Sequence, residues 1–122
     1  MIGKDVVNAL YKAMSENPDK KILDLFDIAR KMEAPRFYVT FDNASRFVSM
    51  LDRGLELPLK NENKKRMYQE LYSRLNKKRG GKKKCYQLLE NIITSPAPEF
   101  YVDAETFKQV FYKTIRNKIK RL

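Results

Sequence analysis

The residues in this chain with the clearest capacity for chemistry are cations gathered in three groups of its second half. "KNENKKR" runs from Lys60 to Arg66, "NKKRGGKKK" from Asn76 to Lys84, and a helical arc near the end carries Lys113, Arg116, Asn117, Lys120 and Arg121. Lysine and arginine at this density neutralise phosphates, and their affinity comes from releasing the counterions condensed on a nucleic acid. The candidate nucleic-acid contacts are therefore Lys64, Lys65, Arg66, Lys77, Lys78, Arg79, Lys82, Lys83, Lys84, Lys113, Arg116, Asn117, Lys120 and Arg121, with Arg116 and Asn117 the candidates for any base readout. The other reading of such charge runs is a solvated surface that serves solubility.

Competing chemistries fail on residue type. "RGGKKK" has Asn76 where a phosphate-binding P-loop needs its first glycine, and Lys83 where it needs Ser or Thr. The chain has no histidine and a single cysteine, which removes His-based triads and paired-cysteine zinc sites. Asp24 and Asp27 share a helical face but read as solvated carboxylates, and Cys85, beside three lysines, as a partly buried structural thiol. The expectation is a protein without catalytic residues, metal or cofactor.

The formal charge is +11 with a pI near 9.8, which favours an acidic partner such as DNA or RNA. Residues 1–58 hold nine basic and nine acidic side chains, whereas 59–122 hold 17 basic and 6 acidic, so the whole excess belongs to the second half. No apolar run is long enough for a bilayer and the start of the chain lacks an unbroken apolar stretch, so neither a membrane partner nor export is expected. The lone cysteine suits a reducing cytosol or an intracellularly assembled particle.

The elements that must position these cations are helices. Apolar residues recur at helical spacing with Gly, Pro and Asn between the runs, and no stretch alternates as a strand would. Helices are expected over about 4–15, 19–32, from the cap Thr40 to Gly54, through the Met67–Leu75 stripe to Gly80, over 82–94, and from the cap Asp103 towards Leu122. In the last of these Phe107, Phe111, Ile115, Ile119 and Leu122 form the inward stripe.

The pattern repeats. A shift of 63 residues places "APRFYV" on "APEFYV" and Thr40 on Asp103, and farther upstream a shift of 61 places Leu10-Tyr11 on Leu71-Tyr72 and Met14 on Leu75. The chain thus reads as all-α, two tandem three-helix units over 1–58 and 59–122 packed as one compact domain. Pro35 and Pro98 end their helices by excluding the α conformation at the preceding alanine. Phe37 and Phe100 are expected to plug the core, each contributing about 2 to 3 kcal/mol, while Tyr38 and Tyr101 keep a hydroxyl at the surface. The rival for these aromatics is base stacking, and their presence in the uncharged half favours a structural role. The outline is helix-turn-helix-like, with a turn of about seven residues from Ala34 to Thr40, longer than in DNA readers.

The stretches "APRFYV", "MYQELY" at Met67–Tyr72, "SPAPEFYV" at Ser95–Val102 and "FYKTIRN" at Phe111–Asn117 resemble a group of small, basic helical proteins of gut Bacteroidales bacteria and their crAss-like phages. The resemblance implies a phage or mobile-element setting in a bacterial host cytoplasm or a virion, and it transfers no activity. Two functions remain open at this level. One is a non-enzymatic module whose basic second half contacts DNA or RNA phosphates. The other is a virion or assembly component, of ring or neck type, docking on acidic protein surfaces.

Overall fold

The computed structural model describes residues 2–79 and 85–120, the side chains of Arg79, Cys85, Tyr86 and Lys120 apart. Over these residues the chain forms α1 (Ile2–Glu16), α2 (Ile22–Arg30), α3 (Phe41–Asp52), α4 (Glu62–Arg79), α5 (Cys85–Ile93) and α6 (Ala104–Lys120), and no strand. The glycine pair Gly80-Gly81, Lys82, Lys83, Lys84, Arg121 and Leu122 lie outside the described residues, as does the Cys85 thiol.

Side-chain chemistry sets the helix ends. Thr40 Oγ1 accepts from the Asn43 amide at 3.2 Å, Asn61 Oδ1 from Lys64 at 3.1 Å, and Asp103 Oδ1 from Thr106 at 2.7 Å, each satisfying an orphan donor of a first turn. Gly54, at φ 75°, lets the Leu55 amide reach back to the Met50 carbonyl at 2.9 Å and closes α3. α2 begins at Ile22, later than expected, because the turn after Pro18 bonds Lys20 to the Asn17 carbonyl at 3.2 Å before the helix starts.

The chain divides into two compact units, and these cut across the sequence halves. One is Met1–Ala34 with Pro98–Leu122, and the other is Pro35–Ala97. The first packs α1, α2 and α6 against one another, and the second packs α3, α4 and α5. Each unit therefore takes two helices from one repeat and its third from the other. The helix-turn-helix outline would pair α2 with α3 and α5 with α6, and both of those pairs are divided between the units.

The repeated motif is where the exchange takes place. Phe37 donates its amide to the Ile93 carbonyl at the end of α5 (3.0 Å), and Phe100 donates to the Arg30 carbonyl at the end of α2 (3.1 Å). Both partners are related by the same 63 residues as the phenylalanines themselves. Both rings are buried, as the sequence led one to expect. Phe100 meets Phe107 edge-on at 5.4 Å in the first unit, and Phe107 meets Phe26 at 6.3 Å. In the second unit the Arg74 guanidinium lies 5.0 Å from the centre of the Phe37 ring, donates to the Pro96 carbonyl at 2.8 Å and pairs with Glu70 at 2.8 Å. Tyr68 packs on Phe47 at 4.7 Å, and burial pushes its hydroxyl pKa up.

Two expectations about side-chain direction are corrected. Tyr101 is only 7% exposed, because a φ of 58° breaks the alternation of an extended segment and turns the ring inward. Ile119 is 61% exposed instead of facing a core, since packing along α6 gives out after the half-buried Phe111 and Ile115.

Exchange of the third helices predicts that Phe26 of α2 and Phe107 of α6 are energetically coupled despite their distance in sequence. Each replaced by leucine, alone and together, should give a coupling of about 0.5 to 1.5 kcal/mol in denaturant unfolding. Strict additivity would contradict the assignment of α6 to the unit of α1 and α2.

Candidate functional site

The cations proposed from sequence are distributed over both units. α4 presents Lys64, Arg66, Lys77 and Lys78 to solvent, and Lys65 is half-buried with its amine 3.6 Å from Glu62. Arg66 donates to Asn63 Oδ1 at 2.6 Å. Lys64 and Lys78 sit at opposite ends of the helix, about 20 Å apart along its axis. α6 exposes Lys113, Arg116 and Asn117 in the other unit. The side chains of Arg79 and Lys120, with Lys82, Lys83, Lys84 and Arg121, fall outside the described residues.

This division changes the electrostatics. By sequence the halves carry zero and +11, whereas Pro35–Ala97 holds 14 basic and 6 acidic residues and the other unit 12 and 9. Both units are cationic, at +8 and +3. The sequence could not show this, because the neutral half donates α1 and α2 to the unit that holds α6.

Two acidic groups brace the α6 unit. The Asp27 carboxylate is held below its ordinary range by hydrogen bonds from Arg30, at 2.8 Å, and Lys31, at 3.2 Å. The Arg30 guanidinium also donates to the Val102 carbonyl at 3.3 Å, just ahead of α6. Asp103 is likewise lowered, chiefly by the Thr106 amide that it caps. Asp27 is thus engaged with cations of its own helix, and no group of three potential metal ligands occurs among the described residues.

The α1–α6 seam holds a feature that the charge pattern did not reveal. A groove of about 780 Å³ is lined by Ile2, Val7, Val110 and Ile115, all half-buried, with Lys4, Lys113 and Lys118 exposed along it. Tyr11, 53% exposed, stands at one end. Lys4, Val7, Asn8 and Tyr11 form an i, i+3, i+4, i+7 stripe, which is the only signal the sequence carried for it. Gly3 lets the helices approach: a Cβ built there would lie 2.5 Å from Thr114 Oγ1, a hydroxyl already bonded to the Val110 carbonyl at 2.8 Å.

No protein-family model, curated protein or solved structure matches the chain.

Two outcomes follow from these contacts. Gly3→Ala should destabilise the fold by about 1 kcal/mol, overpacking outweighing the gain in helix propensity, and Thr114→Ala should remove that penalty. Equality of the penalty in both backgrounds, measured by thermal unfolding, would contradict the close approach. The second concerns acid. A depressed Asp103 stabilises the fold above its unfolded pKa, near 3.8, and that contribution is lost as pH falls through the lower folded value. Asp103→Asn keeps a capping oxygen and should flatten the stability profile below about pH 4 while changing it little at pH 7. An unaltered acid limb in the circular-dichroism titration would refute this.

Proposed function

We propose that the protein is a non-enzymatic nucleic-acid-binding module that grips DNA or RNA phosphates through the Pro35–Ala97 unit. The observation that carries this reading is the exposure of Lys64, Arg66, Lys77 and Lys78 on α4, in the unit that holds eight of the eleven net charges. The basic residues Arg79, Lys82, Lys83 and Lys84 continue the same run in sequence. Cations at both ends of a helix suit a polyanion that extends along it, and lysines acting as point charges bind phosphate without reading bases. The residues best suited to base contact, Arg116 and Asn117, belong to the other unit, and α4 by itself offers point charges that meet phosphate with little base readout. A phage or mobile element in a bacterial cytoplasm, the setting implied by the sequence resemblance, offers such a module abundant nucleic acid.

Contacts to about six phosphates give a log-log salt slope near −5 on duplex DNA. Reversing Lys64, Arg66, Lys77 and Lys78 to glutamate should cut affinity by about a hundredfold or more and bring the slope to about −2 or shallower, with helicity retained. Lys113→Glu with Arg116→Glu should change the slope by no more than about one. Anisotropy titrations across a salt series decide the matter, and binding that ignores salt, or that is lost only in the α6 variant, refutes the reading.

A further inference from the structure

The groove between α1 and α6 exists because of a difference between the two repeats. In the other unit the equivalent helices are α4 and α3, and the sequence shifts place Tyr68 opposite Val7 and Phe47 opposite Val110. Tyr68 and Phe47 pack at 4.7 Å and fill that seam. Tyr72, the equivalent of Tyr11, is half-buried and donates its hydroxyl to Asp52 at 3.2 Å, where the first unit has Ile115. Two valines stand where the copy has two large rings, and they leave an apolar trough with an exposed tyrosine at its end.

The rim has one sign of charge. Lys4, Lys113 and Lys118 are exposed along the trough, and among the described residues no carboxylate lines it and none of the three lysines has an ion-pair partner. Apolar floor and cationic rim together specify an occupant with the reverse pattern. Along α1 the groove runs from Ile2 to Tyr11, about 14 Å, the length of two to three helical turns.

We propose that the α1–α6 groove is a docking site for an acidic amphipathic helix of a partner protein, whose apolar stripe replaces the missing rings and whose carboxylates pair with Lys4, Lys113 and Lys118. Helix-in-groove recognition uses anchors at i, i+3 or i+4 and i+7, which match this length. Three rim lysines select against basic helices and raise the association rate for acidic ones. The groove and α4 belong to different units, and the proposal does not rest on phosphate binding by α4.

The test uses the full chain and a fluorescein-labelled helical peptide with leucines at i, i+3, i+4 and i+7 flanked by glutamates, beside the same peptide with lysines for glutamates. The acidic peptide should bind saturably and at least about tenfold more tightly than the basic one, and Lys113→Glu with Lys118→Glu should weaken it by about tenfold or more. Grafting the rings of the other unit as Val7→Tyr with Val110→Phe should abolish peptide binding and raise the melting temperature. Equal binding of the two peptides, or acidic-peptide binding indifferent to the lysine reversals, overturns the proposal whether or not the graft folds. Displacement of the acidic peptide by a single-stranded oligonucleotide, lost with the same lysine reversals, also overturns it and assigns the groove to nucleic acid.

Discussion

The fold depends on one exchange, made at the two Ala-Pro-x-Phe-Tyr-Val segments. Proline at 35 and 98 forbids the preceding helix from running on. Each following phenylalanine then bonds through its amide to the last carbonyl of a helix 56 or 70 residues away and buries its ring beside it. The buried amide finds a partner, and the ring removes apolar surface from water, in a unit to which its own first two helices do not belong. The helix that follows is carried with it, so α3 completes the α4–α5 pair and α6 completes the α1–α2 pair.

That exchange decides where charge acts. A duplicated sequence that accumulated lysines in one copy would, if each copy folded on itself, present one neutral body and one strongly basic one. With the third helices exchanged, α6 carries its cations into a unit otherwise built from the neutral copy, while α4 and α5 receive α3, which has one basic and two acidic residues. The basic residues of the second repeat are therefore divided between the two units. On α4 they lie along a long polar helix, and on α6 they border apolar surface.

The copies diverge at the seam between their first and third helices. The buried positions Val6 and Leu10 of α1 match the buried Met67 and Leu71 of α4, so that face of the first helix is apolar in both. The seam beside them is not: the Tyr68 and Phe47 rings close it in one unit, and Val7 and Val110 leave it open in the other. α6 also outruns its counterpart. α3 ends at Asp52, the equivalent of Ile115, and the five residues from Arg116 to Lys120 extend α6 past that point, which is why Ile119 emerges into solvent despite its place in the apolar stripe.

Helix number, the caps Thr40 and Asp103, the stop at Gly54 and the burial of Phe37 and Phe100 were legible in the amino-acid order, because each follows from contacts within a few residues or from the hydrophobicity of a single side chain. The 63-residue repeat was equally plain. Periodicity says which face of a helix is apolar and is silent on whose apolar face meets it, and two related copies offer each third helix two nearly equivalent partners. Tertiary packing alone assigned α6 to α1 and α2, divided the cations between two units, turned Tyr101 inward through a left-handed backbone, and left a groove where valines replace rings.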